Sequence, residues 1–308
     1  MTRRRLSFLA ASLLVATLAV PAAQAPLLRF GVVTDLHYAD IDPNGARSYR
    51  ESDAKLAECV QVLNAKGAAF LVELGDFKDQ DKAPDEARTL KYLERIESVF
   101  AGFKGPRYHV LGNHDTDSLS KAQFLAAAPN TGIVPNATRY AFVSGGVRFV
   151  VLDANHKADG SDYDHGNFNW TDSNIDTPQV AWLAKTLGAS AEPVIVLVHQ
   201  QLDGTGDYYV KNAAEVRAVL EKSGKVIAVL QGHRHEGAFS TINGIPYFTV
   251  RGLVEGAGVW NSAYSIVDVM PDLEVRVLGY RRGETRTFRG AATRRARRLA
   301  GTPSGLKP

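Results

Sequence analysis

The sequence predicts an α/β protein made of two packed mixed sheets with helices outside. Three observations predict it. Short apolar runs alternate with amphipathic helical patterns on both sides of a hairpin-rich middle. Polar motifs rich in Asp and His close five of these runs, at the carboxyl ends where open α/β sheets place ligand sites. No internal repeat and no linker divides the chain, so one domain is expected.

The elements follow in order. Leu28–Val33 is a strand that runs into Asp35-Leu36-His37. Ser52 to Leu63 carries Leu56, Val60 and Leu63 on one helical face, and Gly67 stops it. Ala68–Leu74 is the next strand and ends on Gly75-Asp76. Pro84 to Phe100 is a helix whose early Asp85-Glu86 suits the positive end of its dipole. Tyr108–Leu111 runs into Gly112-Asn113-His114-Asp115. Tyr140–Val143 and Val147–Leu152 flank Ser144-Gly145-Gly146 as a hairpin. Val194–Val198 ends on His199, and Val226–Leu230 leads to Gly232-His233-Arg234-His235. Tyr247–Val250, Tyr264–Val269 and Leu273–Leu278 are the last strands. The polar, aromatic segment 155–178 is too long for a plain connection and is expected to cover one side of the site.

The chain ends have their own character. Residues 1–25 read as a secretory signal: Arg3, Arg4 and Arg5, an apolar Leu6–Val20, and Ala23-Gln24-Ala25 as the cleavage site. The apolar run is short for a bilayer span. Thr2–Leu6 is loosely similar to a twin-arginine export signal. A periplasmic or secreted location follows, with the domain at residues 26–280. Residues 281–308 are a basic tail, expected to be solvated and disordered, with contact to anionic surfaces as its alternative role. The body left between these basic ends is acidic within a net charge of +3, which disfavours a polynucleotide partner. A single cysteine, Cys59, excludes an internal disulfide.

The five motifs together supply Asp, His, Asp, Asn, His, His and His. Carboxylate, amide oxygen and imidazole are the donors that hard or borderline divalent metals take. Without thiolates, a structural zinc site is not expected. Asp76 follows a central strand, beside a glycine that lets the backbone turn, and is the natural carboxylate to bridge two metals. Asn113 adds a neutral oxygen, and His233 and His235 can address two metals from one turn. Two such cations hold a nucleophile and neutralise a phosphoryl group. His109, His156 and His165 are expected to be ordinary core or surface residues, and Asp79, Asp81 and Asp117 solvated loop acids, with Asp79 open to a role beside Asp76.

The ordered set D-x-H, G-D-x-x-D, G-N-H-D, H and G-H-x-H resembles the calcineurin-like metallophosphoesterase superfamily, over nearly all of Phe30–Gly256. The resemblance implies a four-layer α/β/β/α sandwich. It implies one metal on Asp35, His37, Asp76 and His235 and another on Asp76, Asn113, His199 and His233. It makes His114 the histidine facing the phosphate, with Asp115 orienting it. Phe30–Asp35, Arg47–Ser52, Gln179–Leu183 and Gly252–Gly256 look like the manganese-dependent ADP-ribose/CDP-alcohol diphosphatase branch. The chain departs from that branch at Gln200-Gln201, at Arg234 and in a shorter middle insertion.

The expected activity is an exported two-metal phosphohydrolase, in which a metal-bridging hydroxide attacks phosphorus in a phosphate ester or diphosphate, with a nucleotide-type compound in view. Manganese is the first expectation for the metals, with iron, zinc or magnesium open; Phe77 after Asp76 argues against a tyrosine-bound iron centre. Tyr49, Arg50, Phe168, Trp170, Tyr208 and Arg234 are the candidate substrate contacts. Two alternatives remain: a broad phosphomonoesterase or cyclic-nucleotide phosphodiesterase, and a non-catalytic metal- or phosphate-binding protein.

Overall fold

The computed structural model describes residues 24–291. The expected signal up to residue 23 and the arginine cluster at 294–298 lie outside the described residues. Two six-stranded mixed sheets pack face to face. The first contains β1 (Leu28–Val33), β2 (Leu71–Glu73), β3 (Arg107–His109), β10 (Ala263–Val269), β11 (Val275–Arg281) and β12 (Arg286–Phe288). Its order is β12-β11-β10-β1-β2-β3. The second contains β4 (Tyr140–Ser144), β5 (Val147–Val151), β6 (Val194–Val198), β7 (Val226–Gln231), β8 (Ala238–Ile242) and β9 (Ile245–Thr249). Its order is β4-β5-β6-β7-β9-β8. Helices α1 (Ser52–Ala65), α2 (Glu86–Phe100) and α3 (Lys121–Ala127) cover the first sheet, and α4 (Thr177–Ala189) and α5 (Ala213–Ser223) the second. This is the four-layer sandwich that the resemblance implies.

Three buried clusters fill the spaces between the layers. Phe30, Val32, Phe70, Val72, Phe149 and Ile195 meet between the sheets. Phe30 stacks on Phe70 at 4.8 Å, and Phe149 meets both edge-on at 5.2 and 4.9 Å. Edge-to-face contacts of this kind stabilise by about 0.5–1.5 kcal/mol beyond area burial. The parallel strands β1-β2-β3 and β5-β6-β7-β9 are buried on both faces, so they read as continuous apolar runs and not as alternation.

The sequence-derived elements match closely where punctuation is strong. α1 ends beside Gly67 at φ +66°, and α2 starts at Asp85, whose side chain accepts the Arg88 N–H. Gly145 and Gly146, both at positive φ, turn the β4–β5 hairpin. The domain boundary at 280 is corrected. β11 continues to Arg281, β12 pairs with it, and Phe288 is buried against Phe248. The arginine-rich composition hid a three-residue strand whose single apolar residue faces the core.

The 155–178 segment is anchored by charge. Lys121 on α3 sits 2.7 Å from Asp153 and 2.6 Å from Asp162, and His156 lies 3.5 Å from Asp153. His156 is buried and His165 half exposed. Burial opposes ionisation of Asp153, but Lys121 and His156 outweigh it and hold the carboxyl well below the usual range. A carboxylate with a depressed folded pKa stabilises fully above its unfolded pKa of about 3.9, and that stability is lost as pH falls through the folded value. Asp153→Asn is therefore expected to cost about 2–3 kcal/mol at pH 7, below the usual buried-pair loss because Lys121 keeps Asp162. Thermal melts between pH 7 and pH 3 check this: the gap between variant and parent narrows in acid, and a gap that does not change with pH contradicts the ion-pair account.

Candidate metal centre

Three of the five motifs leave their strands through strained turns. Asp35, His37, Asp76 and His233 have φ of +53°, +46°, +56° and +69°. The left-handed region costs a non-glycine residue roughly 1–2 kcal/mol, and such strain gathers at functional sites. Small neighbours make the turns possible. A Cβ on Gly112 would lie 2.2 Å from the Asp76 backbone nitrogen, and one on Gly232 would lie 2.2 Å from the Thr34 hydroxyl. Motifs from β1, β2 and β3 in one sheet thereby meet motifs from β6 and β7 in the other.

Six of the seven candidate ligands gather in two groups, and the seventh, Asn113, lines the pocket above them. In the first, His37 Nε2 and His235 Nε2 are 3.1 Å apart, and Asp35 Oδ1 is 3.8 and 3.3 Å from them. In the second, His199 Nε2 is 3.2 Å from His233 Nδ1 and 3.1 Å from Asp76 Oδ2. Asp76 Oδ2 is also 3.5 Å from His37 Nε2, so this oxygen faces both groups. Donor atoms held at about 2.0–2.2 Å by one cation lie roughly 3.0–3.6 Å apart. Asp35 Oδ1 and Asn113 Oδ1 are buried without a hydrogen-bond partner among the described residues. Buried polar atoms left this way call for another partner, and the donor chemistry fits two divalent cations.

Backbone contacts and outer partners aim these donors. The second oxygen of Asp35 accepts the Thr34 hydroxyl and the His233 N–H, and Asp76 Oδ1 accepts the His114 N–H at 2.8 Å. His37 Nδ1 meets Asp79 at 3.1 Å, His235 Nδ1 meets Glu255 at 2.5 Å, and His199 Nδ1 meets the Leu74 carbonyl at 2.8 Å. A carboxylate or carbonyl on the outer nitrogen fixes tautomer and ring orientation in metal-binding histidines. Burial lowers the basicity of His199 and His235, yet Asp76 and Asp35 respectively outweigh it and push both up to about 9. Burial and the neighbouring His199 push His233 down to about 3.

The expected role of Asp115 is corrected. Its carboxylate does not orient His114. It is fully buried and accepts the backbone N–H groups of Asp76, Phe77 and Gly112, so it ties the second motif to the third. His114 Nδ1 instead lies 3.4 Å from both Asp79 and Asp117. These two acids are buried, not solvated. Burial alone would lower the His114 pKa, but Asp79, Asp76 and Asp117 hold it well above the usual value. Lys78 ion-pairs with Asp117, and Tyr92 and Arg88 take up Asp81.

A pocket of about 220 Å³ opens over the centre, lined by Arg47, Asp76, Asn113, His114, Trp170, Tyr208, His233 and His235. Two of the six candidate substrate contacts are here. Trp170 and Tyr208 are each 5.6 Å from the His233 ring and 5.6 Å from one another. The other four are not. Tyr49 is buried in the helix-side core, and Arg50 turns away to Asp40 and Asp42. Phe168 stacks on Tyr163 at 4.1 Å, and Arg234 lies beside Glu236. The arginine of the pocket is Arg47, three positions before Arg50, where a turn at 44–47 reverses the chain. Gln200 and Gln201 are buried and bond to Asn155 and Thr249, away from the pocket.

The model of the calcineurin-like phosphoesterase family matches residues 28–237. The chain belongs to that family. It is accordingly a metal-dependent hydrolase with a two-cation centre. The chain is 26% identical to the manganese-dependent ADP-ribose/CDP-alcohol diphosphatase of Oryza sativa subsp. japonica, with 81% of this chain and 90% of that protein covered. It is also 26% identical to the protein of the same name from Arabidopsis thaliana, covering 71% and 83%. Its fold superposes on a dimetal phosphatase from Danio rerio with a TM-score of 0.73 at 21% identity, covering 86% of this chain and 99% of that one.

Adding Mn²⁺ to metal-free protein at a hundred times its Kd should stabilise it by about 2.7 kcal/mol. At roughly 2–4 °C per kcal/mol for a chain of this size, the melting temperature rises by about 5–10 °C. Asp76→Ala and Gly112→Ala should each lose most of that rise in differential scanning calorimetry. An undiminished rise in Asp76→Ala would contradict its position facing both groups.

Proposed function

We propose that this chain is an exported diphosphatase that hydrolyses small nucleotide-type diphosphates with two Mn²⁺ ions. The observation that carries the reading is the placement of Arg47, Trp170 and Tyr208 around one pocket with the metal cluster and His114. A phosphomonoester needs only the cluster. A second phosphate would give the half-buried Arg47 guanidinium a closer partner than Asp79 at 3.9 Å, and a base or sugar ring would give the two exposed aromatics a stacking surface. The plant relatives' names, with their manganese and their ADP-ribose and CDP-alcohol substrates, support the same class. The signal-like residues 1–25 support export.

When bound, the two cations supply Lewis acidity, lowering the pKa of water and neutralising phosphoryl oxygens. Asp76, whose Oδ2 faces both groups, would help to hold both cations. Water gives up a proton to solvent, its oxygen bonds to phosphorus, and the P–O bond to the leaving phosphate breaks. His114, held as a cation by Asp79 and Asp117, lies at the pocket wall and donates its proton to the leaving oxygen. Arg47 holds the phosphate that departs. Trp170 and Tyr208 cover the His233 side and exclude water from it.

Purified protein with Mn²⁺ should release two monophosphates from ADP-ribose or CDP-choline, and act more slowly on cyclic AMP and p-nitrophenyl phosphate. Asp76→Ala should abolish turnover, and His114→Ala should lower kcat by about 10²–10⁴. Trp170→Ala should act mainly on KM. Equal kcat/KM for p-nitrophenyl phosphate and the diphosphates would sink the diphosphate reading. Export is checked by cell fractionation and N-terminal sequencing: the mature chain should start near Pro26.

A further inference from the structure

The loop Gly252–Gly256 touches three separate parts of the centre. Its N–H groups point inward. Gly252 donates to the His235 carbonyl, Leu253 to Thr34 and Val254 to Asp35, each at 3.0 Å, and Gly256 donates to Ala46 at 2.7 Å. Its carbonyls point outward and converge on one ammonium. Lys55 Nζ donates to the carbonyls of Leu253, Val254, Glu255 and Gly256 at 3.1, 3.1, 3.3 and 2.6 Å. The Lys55 side chain comes from α1 and is fully buried.

A lysine ammonium has three protons and no acceptor, so four carbonyls share it. A buried charge is costly unless polar groups surround it. Here the surrounding groups are the aligned peptide dipoles of one loop. Burial pulls the Lys55 pKa down to about 8, which leaves it mostly charged at neutral pH. The same loop carries Glu255, whose carboxylate holds His235 Nδ1. It also pairs with the Arg47 segment, through the Arg47–Glu255 bridge and the Ser48 N–H to Val254 carbonyl bond at 3.0 Å.

We propose that Lys55 is a positioning residue for the metal centre. Its ammonium fixes the loop that sets Glu255 against His235 and Arg47 against the pocket. Lys55 touches neither substrate nor the ligand atoms. It acts through Glu255 on the first metal group and through the 44–48 turn on Arg47. The inference rests on the two-cation reading of the site.

The test is a double-mutant cycle of Lys55→Met and Glu255→Gln, read by calorimetric titration of Mn²⁺ into metal-free protein. Met keeps the apolar stem and removes the charge. Each single variant should weaken one Mn²⁺ equivalent by about 10-fold, the lower end for lost outer partners of metal ligands. The double variant should be no weaker than the weaker single, because both act through one contact. Wild-type affinity in Lys55→Met, or losses that multiply in the double variant, would overturn the proposal. If Lys55→Met does not fold, Lys55→Arg carries the same two outcomes, since its larger head displaces the carbonyls while keeping the charge. Wild-type protein that binds no Mn²⁺ would overturn the metal centre itself, a result distinct from either.

Discussion

The structure depends on one crowded contact. Asp76 Oδ2 faces imidazoles from both sheets, at 3.5 Å from His37 and 3.1 Å from His199. Carboxylates and imidazoles gathered this closely, away from water, are stable only with positive charge among them. The two sheets supply the framework. Their carboxyl ends meet at one edge of the sandwich, and the apolar layer of Phe30, Phe70 and Phe149 beneath it fixes their separation. Left-handed turns at Asp35, His37, Asp76 and His233 then bring the side chains inward. Strain of this kind persists only where surrounding contacts over-determine it.

Those contacts come from residues that do not reach the centre. Asp115 accepts three backbone N–H groups and holds the second and third motifs together. Asp79 serves two histidines, with one oxygen toward His37 and the other toward His114. Glu255 serves His235 from a loop gripped by Lys55. The acids around His114 have a chemical consequence: they hold a proton on its ring at the pocket wall. The outer layer is therefore as much a part of the function as the seven candidate ligands.

The fold and the candidate ligands were legible in the sequence for a common reason. Buried parallel strands read as unbroken apolar runs, and a polar motif at the end of such a run is conspicuous. Strands β1 and β6 fall at the expected residues, and glycines mark the ends of α1 and the β4–β5 hairpin. Local periodicity was silent where elements are short or amphiphilic. β12 contributes three residues inside an arginine-rich stretch, and β8 is only half-buried. The substrate side was read least well, because Tyr49 and Arg50 neighbour the pocket in sequence while the chain turns so that Arg47 lines it.

The sequence by itself determined the donor set, its order along the chain and the layers that carry it, since these follow from residue type and from the hydrophobic pattern. Only the tertiary structure decided partnership. Asp79 and Asp117, and not Asp115, flank His114. Trp170 and Tyr208 meet at His233 from segments 38 residues apart in the chain. Lys55 closes on carbonyls nearly two hundred residues away. The physical reason is that residue type fixes what a side chain can bond, while the packing of loops from two sheets fixes which partner lies within 3–4 Å.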